Sequence, residues 1–217
     1  MELGYWNVKG RAEILRILLA LFNLPHTEKN PTSMEEALAL TRNTGFDFPN
    51  LPYLIDGDIK ITESTAIPVY LAHKAGKKDF FGKEGLEQVK HQMLLGVLDD
   101  VYGVFKELIR KEDYLEFFEV KKEFVQRKLQ ELSKFLGGRE TLLDQLTFAD
   151  IELFITVQFI KKVTHTIKKP DLFEHLKNLE DHSSRIANLP GIKEYLESNP
   201  KAKLPFLPSY FVKVQID

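Results

Sequence analysis

The stretch from Phe48 to Ile67, FPNLPYLIDGDIKITESTAI, holds a hairpin and the start of a helix. Pro49-Asn50-Leu51-Pro52 is a turn leading into a strand at Tyr53-Leu54-Ile55. Asp56-Gly57 is a strong hairpin signal, because tight hairpin turns need a left-handed backbone that glycine adopts freely. Ile59 to Thr62 returns as the partner strand. Ser64 then caps a helix running through Ile67, Tyr70 and Leu71 toward Ala75. Pro68 sits early in that helix, where its missing amide costs least.

Working outward toward the N-terminus, Glu2 to Trp6 reads as a short strand and Arg11 to Phe22 as a helix. Ala12, Leu15, Leu18, Leu19 and Phe22 share one face of that helix. Asn23-Leu24-Pro25 ends it, a short strand passes through His26 to Glu28, and Met34 to Thr41 forms a second helix. The order strand, helix, strand, helix, strand, strand, helix gives a small mixed sheet with helices on both faces. This is the thioredoxin-like arrangement without redox cysteines. Toward the C-terminus the pattern changes around Lys77 to Lys83, and from Leu86 onward only helical periodicity is present. Helices are expected over 86–110, 115–136, 148–163, 171–187 and 190–197, followed by a tail rich in proline and aromatics from Leu204 to Pro208. The fold class is therefore α/β plus all-α: a thioredoxin-like domain over 1–77, a linker over 78–84 and an all-helical domain over 85–217.

Composition removes several chemistries. With no cysteine there is no disulfide, thiolate metal site or Cys-x-x-Cys redox centre, so a thiol in the reaction must come with the ligand. The six histidines show no metal-binding spacing, and no metal is expected. A net charge of −2 creates no global field for nucleic acid or an anionic membrane. Lysine pairs such as Lys161-Lys162 are short and mixed with acids, as on a solvated face. The apolar run from Ile14 to Phe22 is interrupted by Arg16 and lacks a cleavage pattern, and nothing approaches the ~18 apolar residues of a membrane span. A cytoplasmic protein is the expectation.

Three segments carry candidate chemistry. A cis Leu51-Pro52 bond turns the Leu51 N–H and C=O outward, free to pair with an extended peptide-like ligand; the alternative is a plain tight turn. In ITESTAI (61–67) a strand ends in Thr-Glu-Ser as a helix begins, aiming amides and a hydroxyl at one point. That suits a carboxylate, with Glu63 beside it for an ammonium, so the pair fits the zwitterionic end of an amino acid. The alternative is a capped helix with no ligand. At LGYWNVKG (3–10), Tyr5 ends the first strand within reach of whatever Leu51 and Ser64 hold. A thiol of pKa about 8.5 is mostly protonated at pH 7, and one hydrogen bond donated to the thiolate lowers that pKa. A drop of about two units corresponds to roughly 2.7 kcal/mol and makes the thiolate the main species.

LGYWNVKGRAEILRILL (3–19), GFDFPNLPYLIDGDIKITESTAI (45–67), LTFAD (146–150) and FLGGR (135–139) together resemble a cytosolic glutathione S-transferase, closest to the mu class. The resemblance implies a homodimeric enzyme that adds the sulfur of glutathione, its co-substrate, to small hydrophobic electrophiles, with no further cofactor. Tyr5 matches the tyrosine that stabilises the thiolate, and Trp6 a residue bordering the glutathione site. Leu51 would bind the cysteinyl backbone, framed by Asn50 and Pro52. Glu63 and Ser64 would hold the γ-glutamyl end, and Asp99 would reach across from the other subunit; otherwise Asp99 is simply solvated. Phe48 matches an aromatic key inserted into a hydrophobic pocket of the partner, the alternative being a core phenylalanine. Thr147 and Asp150 match a capping box with a folding role.

The chain departs from the mu pattern in places. Lys29 to Gly45 is shorter, and the tryptophan and lysine that grip the glycyl carboxylate are missing; Arg42 can supply that charge. Glu63 stands where a glutamine is usual. Arg11 replaces a leucine, which implies a more polar electrophile pocket walled by Val8, Arg11, Leu98, Tyr102, Phe105 and Phe206; the apolar members suit a core equally well. A sigma-like glutathione-dependent isomerase and a non-catalytic ligand-binding protein on the same fold are the alternative readings.

Overall fold

Among the residues that the computed structural model describes, 1–207 and 212–216, strands β1 (Glu2–Gly4), β2 (Thr27–Lys29), β3 (Tyr53–Asp56) and β4 (Ile59–Thr62) form one sheet. Their order is β2-β1-β3-β4, with β1 parallel to β2 and antiparallel to β3, and β3 antiparallel to β4. Pro208, at the end of the expected tail, lies outside the described residues. Helix α1 (Glu13–Leu21) packs against α3 (Ala66–Lys74), and α2 (Met34–Arg42) follows β2. The buried side chains Leu15, Leu18, Ile67, Leu71, Leu3 and Leu54 supply the core.

The chain divides into two compact units, Met1–Lys78 with Leu189–Phe206, and Asp79–Asn188 with Leu207–Asp217. The sequence reading assigns all of 85–217 to the helical domain, but 189–206 returns to the first unit. Its helix α8 (Pro190–Ser198) lies directly on α1. A Cβ at Gly191 would lie 2.2 Å from the Ala20 carbonyl oxygen, so only a glycine permits this approach. Tyr195 Oη then donates to Glu13 Oε2 at 2.8 Å.

The second unit holds α4 (Leu86–Leu108), α5 (Tyr114–Leu136), α6 (Phe148–Thr166) and α7 (Lys177–Ala187). Helix α6 is apolar nearly all round and packs against α4 and α7, as a central helix must. A capping box joins Thr147 and Asp150 at its start. Asp150 is fully buried, and its carboxylate accepts from the N–H groups of Leu142 (2.7 Å) and Thr147 (2.8 Å), the Thr147 hydroxyl (2.9 Å) and His182 Nε2 (2.9 Å).

Several boundaries differ from expectation. The first strand stops at Gly4, and the first helix opens with a 3-10 turn at Gly10–Ala12. Helix α7 starts at Lys177 instead of 171, because Asp171 Oδ1 accepts the Phe173 N–H at 2.9 Å and holds a turn there. Ser64 does not cap α3; that position falls to Thr65, which makes no side-chain cap bond. Glu63 has φ +73°, and its carbonyl takes the N–H groups of Ala66 and Ile67, which moves the helix start past Ser64.

Thr147→Ala is expected to cost about 0.5–2 kcal/mol in urea unfolding. Asp150→Ala should cost about 3 kcal/mol or more, since it strands several buried donors. His91 on α4 is fully buried with neither ring nitrogen hydrogen-bonded, and lies 5.5 Å edge-on from Phe81. Burial pushes its pKa down, against the opposing charges of Asp150 and Glu87. The folded protein therefore favours neutral His91 while the unfolded chain takes up a proton near its ordinary pKa of about 6.5. Unfolding free energy should fall as pH drops below that value, and His91→Leu should flatten the slope between pH 7 and 5.

Candidate functional site

Lys29, Gly4, Tyr53 and Thr62 form one row across the end of the sheet, since Gly4 pairs with both Lys29 and Tyr53, and Tyr53 with Thr62. Strand direction then dictates what projects beyond that edge: Asn30, Tyr5, Pro52 and Glu63. Residues distant in sequence thus become neighbours by register alone.

Tyr5 is 7% exposed. Its N–H donates to Lys29 O at 3.0 Å and its C=O accepts from Asn30 Nδ2 at 2.9 Å. Its hydroxyl oxygen accepts the Arg11 N–H at 3.1 Å, and among the described residues no acceptor takes its proton. That proton remains available to a ligand. Gly10 has φ +41°, and a Cβ there would lie 2.6 Å from the Tyr5 oxygen, so glycine is what lets the phenol lie against this turn.

The Leu51-Pro52 bond is cis, as expected. The expected open Leu51 amide is instead engaged: its N–H donates to Asn50 Oδ1 at 2.9 Å, while Asn50 Nδ2 donates to Glu63 Oε1 at 2.9 Å. One carboxamide thus occupies both groups expected to face a ligand. Thr62 Oγ1 donates to Phe48 O at 2.7 Å and ties this turn to β4. Glu63, in the left-handed region, carries backbone strain of about 1–3 kcal/mol of the kind that concentrates at functional sites. No acceptor among the described residues takes the Ser64 or Thr65 N–H, so both amides remain beside Glu63.

Trp6 is half-buried and Val8 buried, with Val8 O accepting from Arg16 Nη1 at 2.8 Å. Lys9 N–H donates to Pro205 O and Gly10 N–H to Phe206 O, which brings Phe206 to the loop after β1. Arg11 is exposed, and so is Arg42 in the last turn of α2. Leu98, Tyr102 and Phe105 belong to the second unit: Leu98 and Phe105 are core residues of α4, and Tyr102 stacks at 4.9 Å on Phe159. Asp99 is exposed on α4. Burial, with the Asp99 charge second, pushes the nearby Glu152 carboxyl up to about 7. Phe48 is 75% exposed, which removes the core alternative for it within this chain. Sequence reading missed Asn30, whose only signal is its place one residue past β2. It also passed over Arg16, although a lone charge inside the apolar run 14–22 marks a buried partner.

Among the described residues no cluster of three or more histidine, aspartate or glutamate side chains is arranged for a metal, and no helix is long and apolar enough to cross a membrane. The family models "Glutathione S-transferase, N-terminal domain" and "Glutathione S-transferase, C-terminal domain" match residues 1–73 and 97–199. The chain is 34% identical over 211 residues to human glutathione S-transferase Mu 2, covering 92% of this chain and 91% of that one. The chain belongs to the glutathione S-transferase family. It is also 33% identical over 213 residues to glutathione S-transferase 2 of Gallus gallus, covering 94% and 93% of the two chains. The crystal structure of the glutathione S-transferase Blo t 8 superposes with a TM-score of 0.84 at 26% identity, over 99% of each chain. As a glutathione S-transferase it is an enzyme with glutathione as co-substrate.

Gly10→Ala in this transferase should push the Tyr5 ring aside. A displacement on the order of 1 Å can cost about a hundredfold. The check is kcat/KM for conjugation beside an unfolding curve, with activity expected to fall much further than stability.

Proposed function

We propose that this glutathione S-transferase, mu-like in class, adds the glutathione thiolate to small hydrophobic electrophiles, with the Tyr5 hydroxyl donating to the sulfur. The observation that carries the reading is the Arg11 N–H on the Tyr5 oxygen. A phenol oxygen that already accepts a hydrogen bond is a better donor through its own O–H, and that O–H has no acceptor among the described residues. Hydrogen bonding to the charged form of a thiol favours the thiolate.

Leu51 pairs with the cysteinyl backbone in this reading, with Asn50 and Pro52 framing it and Trp6 at the border. Glu63 and Ser64 take the γ-glutamyl end and Arg42 the glycyl carboxylate. Binding of the ligand turns the Asn50 carboxamide off Leu51 N–H and Glu63. Val8, Arg11 and Phe206 line the electrophile side of the site in this reading, whereas Leu98 and Phe105 serve the core of α4. The enzyme acts in the cytoplasm as a homodimer. Phe48 enters the apolar groove of about 140 Å³ that Met93, Leu94, Val97, Leu132 and Phe135 line on the second copy. Asp99 of that copy completes the γ-glutamyl site.

Tyr5→Phe should bind glutathione nearly as wild type does, yet lose about 25-fold in conjugation rate at pH 7, matching a thiol pKa raised from about 6.5 to about 8.5. An aryl halide assayed with glutathione over a pH series reads this directly. Equal rates at pH 7 in the two proteins would refute the thiolate role.

A further inference from the structure

The loop after β1 carries Tyr5, and its backbone is held by groups from the opposite end of the chain. Arg16 is 1% exposed and grips Glu28 with two bonds, Nε to Oε1 at 2.9 Å and Nη2 to Oε2 at 3.0 Å. Its remaining nitrogen, Nη1, holds Val8 O at 2.8 Å. Asn30 Nδ2 is shared between Tyr5 O at 2.9 Å and Glu28 Oε2 at 3.2 Å. Burial pushes the Glu28 carboxyl up, but the Arg16 hydrogen bonds and charge, with Asn30 and Lys201, outweigh it and hold it below the usual range.

Lys201 answers the other end of the Asn30 carboxamide. Its ammonium donates to Asn30 Oδ1 at 2.6 Å and to Asn7 Oδ1 at 2.7 Å, and lies 3.8 Å from Glu28 Oε2. A flipped Asn30 would face its NH2 toward the ammonium and its oxygen toward both the Tyr5 carbonyl and the Glu28 carboxylate. Only one orientation satisfies every partner. Lys201 sits on the 3-10 turn Pro200–Lys203, shaped by Asn199 Oδ1 accepting the Lys201 N–H at 2.9 Å. Lys201 is therefore aimed at this loop by local geometry, and α8 docked on α1 carries it there.

We propose that Lys201 is a positioning residue for Tyr5: through Asn30 and Asn7 it fixes the backbone from Tyr5 to Val8, and with it the direction of the Tyr5 hydroxyl. The proposal rests on the thiolate role of Tyr5 given above. Lys201 touches no reacting atom. It acts on how well the phenol meets the sulfur, so its removal should alter thiol acidity more than glutathione affinity.

The test compares wild type, Lys201→Met, Lys201→Arg, Lys203→Met and Tyr5→Phe. Lys203 is exposed on the same turn with no partner among the described residues, and serves as the control. For each protein the readouts are kcat/KM across pH with an aryl halide, glutathione affinity by fluorescence titration, and melting temperature. Lys201→Met should shift the pH profile upward by about one unit, which is about threefold in rate at pH 7 and approaches tenfold on the acid limb. Its glutathione affinity should stay within about twofold, with Lys201→Arg restoring the profile and Lys203→Met matching wild type. An unmoved profile in Lys201→Met overturns the proposal. So does lost activity that follows lost melting temperature at unchanged profile, which is the signature of a merely structural lysine. If Tyr5→Phe shifts the profile and Lys201→Met does not, positioning alone fails; if Tyr5→Phe leaves it unmoved, the thiolate reading fails and this proposal with it.

Discussion

A guanidinium taken out of water needs its donors answered, and Arg16 meets that demand in a way that organises the whole first unit. Its two-pronged bond to Glu28 ties α1 to β2, and its third contact reaches the loop after β1. Removing one member of such a buried pair leaves an uncompensated charge and typically costs about 3–5 kcal/mol. Sheet, helix and loop are therefore not free to shift separately. The segment that carries Tyr5 and the one that carries Asn30 are both held to α1 through this side chain and its partner.

Local signals carried much of the fold. The β3-β4 hairpin, the second strand of which matches residue for residue, follows from alternation around a glycine turn. The box at Thr147 and Asp150 is readable because its partners are three residues apart. Tyr5, Leu51 and Glu63 were also legible as candidates, since strand order alone brings their elements to one edge. What stayed hidden depends on distant partners. Ser64 has the chemistry of a cap, yet the left-handed backbone at Glu63 decides where the helix starts. Lys201 reads as an ordinary surface lysine until Asn7 and Asn30 stand beside it.

The Asn50 carboxamide ties the turn before β3 to the residue that follows β4. Here one short side chain serves both, acceptor end to Leu51 and donor end to Glu63.

The return of 189–206 to the first unit has a consequence for how the protein is made. The sheet and its first three helices leave the ribosome early, but Glu13 must wait for Tyr195, and the loop after β1 for Lys201. While residues 79–188 are being made, the nascent α1 therefore has one flank unanswered. The N-terminal module is completed only after residues 79–188 of the second unit have been made.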